Sequence, residues 1–342
     1  MRGILVTGGA GYIGSHTLRA LKEQGYAPVC LDNLSTGHRE FIGGLPFYQG
    51  DLGRLLDLDE AFSGHRIAAV MHFASHALVE ESYRNPHKYY HDNILNTLNL
   101  LEAMRRHNVT NLVFSSSCAT YGIPIRVPID ESNPLNPINP YGVTKMVIER
   151  MLCDYQNAYG MRYVSLRYFN AAGAGHDGSI GEWHVPETHL IPRLLEIAQG
   201  NGSEADIYGS DYPTPDGTCI RDYIHVIDLA LAHIAALEYL SSGRPSEVFN
   251  LGTGQGCSVL QVVDAVRKAT GKDVPIVIKE RRPGDPPQLV ANPAKAQAAL
   301  GWRALHSSLE EIAATAWNWR RGAVCNDLAA KTEQRADKAQ HK

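Results

Sequence analysis

Four glycines near the N-terminus restrict the fold of this 342-residue chain more than any other feature of its sequence. Residues 8–14 read GGAGYIG, directly after the apolar run 3–7 and directly before a stripe of apolar residues with helical spacing. Glycine is needed where a strand turns tightly into a helix that packs close to its sheet. The amides and positive dipole end of that helix suit a pyrophosphate, so Gly8, Gly11 and Gly14 predict a dinucleotide site. The alternative is a tight turn without a ligand.

Short apolar runs alternate with helical stripes through the first half of the chain, which is typical of βαβ units in a parallel sheet. We therefore predict an α/β fold: a Rossmann-like doubly wound parallel sheet with a smaller C-terminal α/β substrate lobe. The predicted strands are residues 3–7, 28–32, 45–49, 69–73, 111–116 and 163–168. At about 150 residues per domain, the length suggests two domains. The predicted segments are a dinucleotide-binding domain (1–175, with 218–255 returning to it), a substrate-binding domain (176–322) and a frayed tail (323–342).

Residues at the predicted strand ends indicate which dinucleotide is bound. Asp32 ends the second strand, eighteen residues after the last glycine of the run, where its carboxylate can accept a hydrogen bond from the ribose 2′-hydroxyl of adenosine. The same charge repels a 2′-phosphate, so NAD is favoured over NADP. Asp51 and Leu52 end the third strand near the expected adenine, and Phe73 and Ala74 end the fourth near the expected pyrophosphate. Taken singly, each could be an ordinary strand end.

A tyrosine and a lysine four residues apart carry the predicted chemistry. Tyr141 and Lys145 follow Pro140 in a helical segment, so both project from one face. A phenol is a poor base at neutral pH unless a nearby ammonium stabilises the phenolate, which Lys145 can do. Serines at 115–117 lie at the carboxyl end of the fifth strand, the edge where ligands bind in such sheets. The alternative is a core tyrosine and a solvated lysine. The apolar stripe predicted for this helix comprises Val143, Val147, Met151 and Tyr155.

Charge and cysteine content argue against several other classes of protein. The chain has 32 basic and 36 acidic side chains, so it lacks the basic excess that nucleic-acid binding requires. Its six cysteines show neither CxxC spacing nor matching histidines, so we expect no metal site and a reducing, cytoplasmic location. The N-terminal apolar run is shorter than a signal peptide requires. The best candidate for a membrane span, 226–240, is interrupted by charged residues and is too short for that role.

Eight motifs are spread over nearly the whole chain. They are VTGGAGYIGSH (6–16), LDNLSTG (31–37), SSSCATYG (115–122), NPYGVTK (139–145), LRYFNAAGA (166–174), DGTCIRDYIHV (216–226), NLGTG (250–254) and RRPGDPP (281–287). As an ordered set they resemble the extended short-chain dehydrogenase/reductase family, and within it the UDP-glucose 4-epimerases. The resemblance implies an NAD-dependent enzyme that inverts C4 of a UDP-sugar, first of all UDP-glucose/UDP-galactose, through a transient 4-keto sugar. It also implies a homodimer, with helices at 86–107 and 140–159 in the interface.

The resemblance further implies roles for individual residues. Tyr141 would be the catalytic base, Lys145 would bind the nicotinamide ribose and lower the pKa of the tyrosine, and Ser117 would bind the sugar hydroxyl. The implied NAD contacts are Gly8, Gly11, Tyr12, Ile13, Gly14, Asp32, Asn33, Asp51, Leu52, Phe73, Ala74, Tyr141, Lys145 and Tyr168. The implied UDP-sugar contacts are Ser117, Asn170, His189, Leu190, Tyr208, Arg221, Arg282, Asp285 and Leu289. Guanidinium groups suit a diphosphate because they form forked, charge-assisted hydrogen bonds, and an aspartate suits a ribose diol.

The chain departs from the family pattern at two places. Ala77 stands where related epimerases often carry a lysine, and Glu80 stands where they carry a glycine. A cation near the cofactor or phosphate is therefore lost unless His76 replaces it. Leu289 stands where strict glucose/galactose enzymes tend to carry a tyrosine, and a smaller side chain there can admit an N-acetyl group.

Other functions stay open at this stage. A 4,6-dehydratase shares the Tyr/Lys pair, but Cys118 and Ala119 occupy the positions of its Asp–Glu pair, which argues against it. 4-Epimerases of UDP-N-acetylhexosamines or UDP-pentoses are alternatives within the same reaction class. A non-catalytic NAD-binding sensor is the alternative from a different class, and the intact Ser117, Tyr141 and Lys145 argue against it.

Overall fold

The computed structural model describes residues 3–282 and 284–330. Its strands, in chain order, are β1 (Gly3–Thr7), β2 (Ala27–Asp32), β3 (Phe47–Gln49), β4 (Ile67–His72), β5 (Asn111–Ser117), β6 (Arg162–Tyr168), β7 (Asn170–Ala172), β8 (Ala205–Tyr208), β9 (Ile220–Arg221), β10 (Tyr223–His225), β11 (Glu247–Leu251), β12 (Cys257–Ser258), β13 (Ile276–Lys279) and β14 (Gln288–Leu289). Its helices are α1 (Tyr12–Glu23), α2 (Leu55–Ser63), α3 (Val79–Arg84), α4 (Pro86–Tyr89), α5 (Asn96–Arg106), α6 (Pro140–Tyr159), α7 (Leu190–Ala198), α8 (Val226–Ser241), α9 (Val259–Thr270), α10 (Ala294–Leu300) and α11 (Leu309–Arg320). A π-helical turn, Tyr90–Leu95, joins α4 to α5.

Seven of the described strands form one parallel sheet in the order β11-β6-β5-β4-β1-β2-β3. The order reverses between β1 and β4, and ligands of doubly wound sheets bind at this point, beyond the carboxyl ends of the strands. The predicted α/β fold with a doubly wound parallel sheet is therefore confirmed. All six predicted strands are present, and β11 extends the sheet beyond β6.

Helices cover both faces of this sheet, so its central strands are buried. All five residues of β1 are buried, and their side chains alternate between the two faces. Ile4 and Val6 pack into a core shared with α1 and α8. Leu5 packs into the opposite core, together with residues of α2, α5 and α6. Burial on both faces explains why the strand reads as a continuous apolar run.

A third apolar core lies outside the main sheet. It joins α7, α9 and α11 to the strand pair β8–β13, and Leu194, Val263 and Ile312 are fully buried in it. The short strands β12, β9 and β14 form a further sheet that brings 220–221 beside 288–289. The predicted domain boundaries stay a prediction.

The prediction of a frayed tail from residue 323 is wrong for residues 323–330. Residues 323–330 are helical, and Cys325 and Leu328 are buried in a small core with Phe41 and Trp319. Phe41 is distant in sequence, so the polar composition of the segment gave no sign of this contact. The remainder of the predicted tail, 331–342, lies outside the described residues.

The predicted apolar stripe of α6 also differs from the structure. Val143, Val147, Met151 and Tyr155 are only partly buried, whereas Lys145 and Glu149 point inward and are buried. Within the described part of the chain, no helix combines the length and apolar character needed to cross a membrane.

Candidate active site

The glycine turn after β1 lies at the reversal point of the sheet. Gly8 has a φ of 72°, which favours glycine, and a Cβ there would lie 2.5 Å from the amide nitrogen of Ala74. A Cβ at Gly14 would lie 2.2 Å from the carbonyl oxygen of Gly8. No side chain of the described residues caps α1, so its first-turn amides are available to an anion. The cradle therefore fits the pyrophosphate of NAD.

Tyr12 and Ile13 begin α1 with their side chains turned into the protein. The Tyr12 hydroxyl donates to the carbonyl oxygen of Gly173 at 2.6 Å, and Ile13 packs against the core under α1. Any contact of these two residues with a pyrophosphate therefore comes from their backbone amides rather than from their side chains.

Asp32 ends β2 and is buried beside the glycine turn. Its carboxylate oxygens accept hydrogen bonds from the amides of Ala10 and Leu34 at 2.9 and 2.8 Å. Burial raises the pKa of Asp32, and these amides partly oppose the shift. A carboxylate offers about four lone-pair positions, so a ribose hydroxyl can still bind. Gly37, which sequence reasoning missed, closes this pocket, since a Cβ there would lie 2.9 Å from an Asp32 oxygen; the LDNLSTG motif carried the signal.

The ends of the neighbouring strands meet at the same edge. Asn33 Nδ2 donates to Asp51 Oδ2 at 2.7 Å, which joins the ends of β2 and β3. The amides of Phe73 and Ala74 both donate to the carbonyl oxygen of Thr7, at 2.9 and 3.1 Å, and hold the end of β4 against the glycine turn. The side chain of Leu52, in contrast, belongs to the apolar core under α2 and α5.

Ser117, Tyr141 and Lys145 converge beside the carboxyl end of β5. The buried Tyr141 side chain lies within hydrogen-bonding reach of Ser117. Lys145 Nζ lies 5.8 Å from the centre of the Tyr141 ring and donates to the carbonyl oxygen of Ser115 at 2.8 Å. The Tyr168 hydroxyl is hydrogen-bonded to Ser115 Oγ at 2.6 Å. Because β4 alone separates β5 from β1, this group and the glycine turn share one edge of the sheet.

Burial shifts the pKa values of both Tyr141 and Lys145 in the direction that favours their neutral forms. It raises the pKa of Tyr141, and the hydrogen bond with Ser117 opposes that shift only in part. Burial also lowers the pKa of Lys145 to about 7, although the Glu149 carboxylate raises it. The expected lowering of the tyrosine pKa by Lys145 is therefore not observed here, because burial disfavours the charged form of each group.

A buried polar network behind this pair was missed by sequence reasoning. Glu149, one helical turn after Lys145, forms a buried ion pair with Arg167, whose Nε lies 2.9 Å from Glu149 Oε1. Ser116 Oγ donates to the same carboxylate at 2.6 Å, and Arg167 Nη1 donates to the Tyr121 hydroxyl at 2.9 Å. The motifs SSSCATYG and LRYFNAAGA contain three of these residues, but no local spacing connects them to α6.

Arg221, Asp285 and Leu289 lie together in the predicted UDP-sugar site. β9 and β14 pair in parallel, with Arg221 opposite Leu289. Arg221 Nη2 donates to Asp285 Oδ1 at 2.6 Å, and Nη1 donates to the carbonyl oxygen of Pro286 at 2.9 Å. The residues predicted for the diphosphate and the ribose are thus paired with each other, which fixes the orientation of the guanidinium.

Asp222, next to Arg221, is a second residue that sequence reasoning missed. It is fully buried, and its carboxylate accepts hydrogen bonds from the amides of Thr253, Gly254 and Ala291 at 2.9, 3.1 and 3.1 Å. Burial raises its pKa. By binding these amides, Asp222 holds the NLGTG loop and the segment after β14 around β9. Its place inside the DGTCIRDYIHV motif was the available signal.

Two further groups of predicted substrate residues are Asn170, and Tyr208 with Arg282. The backbone and side-chain nitrogens of Asn170 donate to the carbonyl oxygen of residue 222 at 3.0 and 3.2 Å. The guanidinium of Arg282 lies over the ring of Tyr208, 3.9 Å from its centre. Stacking of this kind keeps the arginine extended and its nitrogens exposed at the ring edge.

His189 and Leu190 form the last group, at the start of α7. His189 Nδ1 lies 2.9 Å from Glu182 and 3.0 Å from Glu187. Although burial opposes it, these two carboxylates raise the pKa of His189 well above its ordinary value. His189 is therefore cationic at the helix N-terminus at neutral pH.

Among the described residues, His76 is the candidate to replace the cation lost at Ala77. The neighbouring His76 has its Nε2 2.8 Å from Asp92 Oδ2, so a carboxylate already holds it. Its ring lies 5.8 Å from that of Tyr89, which packs edge-on against Tyr141 at 6.5 Å. His76 thus contacts the surroundings of Tyr141 through packing.

Comparison with known proteins decides the family. Residues 4–252 match the model of the NAD dependent epimerase/dehydratase family. The chain belongs to this family. The UDP-glucose 4-epimerase of Halalkalibacterium halodurans is 51% identical to it over 318 residues, which is 93% of this chain and 95% of that protein. The crystal structure of UDP-glucose 4-epimerase from Brucella ovis in complex with NAD covers 93% of this chain and 98% of its own, with a TM-score of 0.91 and 51% identity.

A third member is more distant. The UDP-Glc/GlcNAc 4-epimerase from Campylobacter jejuni is 40% identical and covers 94% of this chain and 99% of its own, with a TM-score of 0.83. The resemblance to UDP-glucose 4-epimerases and the prediction of an NAD-dependent enzyme are confirmed by these matches. The roles of individual residues in the NAD dependent epimerase/dehydratase site stay predictions.

Proposed function

We propose that this enzyme inverts C4 of UDP-glucose and UDP-galactose with Tyr141 as the base. The observation that carries the proposal is the convergence of Ser117, Tyr141 and Lys145 beside the glycine cradle, at one edge of the sheet. Ligands of such sheets bind at this edge, so a sugar carbon can lie between the phenol and a nicotinamide ring. The similarity to UDP-glucose 4-epimerases over more than nine-tenths of the chain supports the same reaction.

NAD held by the glycine turn and Asp32 would supply reversible hydride transfer at C4, so the sugar would pass through a 4-keto form and the net redox change would be zero. Tyr141, as the phenolate, takes the proton of the 4-hydroxyl and later gives it back. Ser117 orients that oxygen, and Lys145 in its ammonium form stabilises the phenolate. Arg221 and Arg282 hold the diphosphate, which leaves the sugar free to turn over between the two proton transfers.

The test compares two tyrosines on the same helix. Tyr141→Phe should abolish turnover of UDP-galactose and leave NAD binding intact, because it removes one hydroxyl from a buried ring. Tyr155→Phe is the matched control: it removes a hydroxyl that donates to Glu102 near the opposite end of α6. Turnover by Tyr141→Phe within a few-fold of wild type would refute the assignment of the base.

UDP-N-acetylhexosamines are a second candidate substrate class, and UDP-pentoses a third. Leu289, opposite Arg221, is smaller than the tyrosine expected of a strict glucose/galactose enzyme, so it leaves space near the sugar. The Campylobacter jejuni relative is a UDP-Glc/GlcNAc 4-epimerase. Leu289→Tyr should lower turnover of UDP-N-acetylglucosamine much more than that of UDP-glucose; an equal effect on both would place the selectivity elsewhere.

A cofactor-reduction assay separates this proposal from the two others. An epimerase and a dehydratase both reduce bound NAD transiently when UDP-galactose is added, whereas a non-catalytic sensor does not. Product analysis then distinguishes UDP-glucose from a dehydrated sugar. Cys118 and Ala119 in place of the acidic pair support the epimerase.

We also propose a cytoplasmic homodimer. The apolar side chains Val79, Tyr83, Tyr90, Leu95, Leu98 and Tyr159 are exposed on α3, on the π-helical turn before α5, on α5 itself and at the end of α6. Such a patch is typical of an interface. All six cysteines lie in the described part of the chain as free thiols, which suits a reducing compartment. Light scattering of wild type and Leu98→Glu, with cell fractionation, tests both points.

A further inference from the structure

Three residues outside the proposed active site bring two imidazoles to one carboxylate. His176 Nε2 lies 2.9 Å from Glu311 Oε1, and His306 Nδ1 lies 2.8 Å from the same oxygen. The three come from the loop after β7, the segment before α11, and α11 itself. We propose that His176, His306 and Glu311 form a binding site for a divalent transition metal of the zinc class.

The donor atoms already have nearly the spacing that such an ion requires. One atom from each residue lies within 4.8 Å of the others. Around a tetrahedral Zn²⁺ with bonds of about 2.0–2.1 Å, neighbouring ligand atoms are about 3.3 Å apart. The nitrogen–oxygen distances of 2.8 and 2.9 Å therefore need to widen by only about 0.5 Å. Two imidazoles and one carboxylate form a three-ligand set with a fourth position for water.

The surroundings limit the site to these three ligands. His225 packs against both histidines, with ring centres 5.7 and 6.1 Å away. Both of its nitrogens are occupied, however: Nδ1 accepts from the Ile227 amide at 3.1 Å, and Nε2 donates to Thr315 Oγ1 at 3.0 Å. The His176 side chain is half exposed, which provides a path for the ion and the water.

The backbone around the ligands is held in place independently of a metal. Asn318 Nδ2 donates to the carbonyl oxygen of His176 at 3.2 Å, and the Ala174 amide donates to Thr315 Oγ1 at 3.2 Å. Both partners lie on α11, the helix that carries Glu311. A metal ion would therefore bind to a loop already docked on that helix, with little ordering of the chain.

A second cluster of possible ligands is a poorer candidate. Glu182, His184, Glu187 and His189 also lie close together. His189 is held between the two carboxylates, and Glu187 Oε1 accepts the amides of residues 188 and 189 at 2.8 and 2.9 Å. A metal there would have to displace a cation that is already paired with both carboxylates. This cluster also includes a predicted substrate contact, whereas the His176 cluster includes none.

The experiment uses the full untagged chain, stripped of metal with a chelator. Co²⁺ serves as the spectroscopic probe, and calorimetry measures Zn²⁺ binding in competition with a chelator of known affinity. We expect one equivalent of Co²⁺ to give visible d–d bands without a thiolate charge-transfer band. His176→Asn or His306→Asn should each weaken binding about 10- to 100-fold or more, since loss of an outer-shell partner alone has an effect of that size. Zn²⁺ should also raise the Tm of wild type and not of the double variant.

Controls separate this site from other histidines. His65→Asn removes a ring that packs against Tyr48, and should leave Co²⁺ binding unchanged. X-ray absorption of the Zn²⁺-loaded wild type should show imidazole and oxygen ligands without sulfur, which tests the donor set even if a variant fails to fold. Wild type without stoichiometric binding would overturn the proposal. Binding retained by the His176/His306 double variant but lost in His184→Asn would also overturn it, by locating the ion in the second cluster.

Discussion

Replacement of Glu149 by glutamine tests whether the buried network supports the charge on Lys145. Glu149 lies one helical turn from Lys145 and shares its carboxylate between Arg167 and Ser116. Its side chain and that of Arg167 are 7% and 6% exposed, so solvent screens the group weakly. Glu149 raises the pKa of Lys145 against the effect of burial. The variant keeps the volume of the side chain and removes its charge.

Two magnitudes follow. Charges about 6 Å apart interact by about 2.8 kcal/mol at an effective dielectric constant of 20, or about 2 pKa units. Arg167 takes up part of this field, so we expect the pKa of Lys145 to fall by about 1 unit in Glu149→Gln. The variant also leaves Arg167 buried without its partner, which costs about 3–5 kcal/mol of the free energy of unfolding.

Steady-state kinetics against pH and urea unfolding measure the two effects separately. Lys145 acts as the ammonium, so its pKa sets an alkaline limit on kcat; in Glu149→Gln this limb should move to lower pH by about 1 unit. The double variant Glu149→Met, Arg167→Met should recover much of the lost stability, because both buried charges are gone. Its alkaline limb should lie between those of wild type and Glu149→Gln, because the repulsion between Arg167 and Lys145 is lost together with the attraction by Glu149.

The position of the alkaline limb decides whether the charge of Glu149 acts on Lys145. If the limb stays at its wild-type position in Glu149→Gln while stability falls, Glu149 serves only as the partner of Arg167. If the limb of the double variant lies at lower pH than that of Glu149→Gln although stability recovers, the displacement did not come from the charges of this pair.

Three other substitutions have outcomes set by the geometry. Gly14→Ala should lose NAD binding and unfold at lower urea than Gly11→Ala, since their added Cβ atoms would lie 2.2 and 3.3 Å from the Gly8 oxygen; equal effects would contradict this. Asp32→Ser should weaken NAD binding, measured by calorimetry, about 10- to 100-fold and NADP binding less, because a hydrogen bond to a charged group contributes about 1.5–3 kcal/mol. Lys145→Met should remove a pH dependence of stability: the pKa of Lys145 is lowered to about 7, so between pH 7 and 10.5 the unfolded chain binds one more proton and wild-type stability rises with pH. The difference between wild type and variant in urea unfolding should change by about 5 kcal/mol over that range, and a constant difference would contradict the lowered pKa of Lys145.

The parts of the fold that the sequence predicts are those with a local cause. β1 to β6 follow from short apolar runs between turn signals, and the glycine turn follows from the need to fit Gly8 and Gly14 against each other. The position of β11 beside β6 has no such local cause. The pairs β9–β14 and β9–β12 are two residues long, so no periodicity marks them.

The site was predictable to the extent that its residues lie in motifs. Ser117, Tyr141 and Lys145 lie in two of these segments, and the structure brings them together. Asp222 lies in a motif too, but its partners are 31, 32 and 69 residues away in sequence. No local pattern therefore indicates that it anchors these loops. The metal-ligand cluster has the same property, because His176 and Glu311 are 135 residues apart. Spacing rules find sites built on one element and miss those built between elements.

The inner face of α6 explains why the separate pKa shifts of Tyr141 and Lys145 run against the proposed chemistry. Burial raises one pKa and lowers the other, because each group would bear a lone charge in a dry site. With Glu149 and Arg167 already paired, an ammonium on Lys145 leaves this region with one net positive charge. A phenolate on Tyr141 leaves one net negative charge, and both together leave none. The two groups should therefore titrate as a coupled pair, in which ionisation of one favours ionisation of the other. The buried polar residues Lys145 and Glu149 interrupt the apolar face of α6. Because Glu149 supports the ammonium of Lys145, the same residues favour the phenolate of the proposed base at neutral pH.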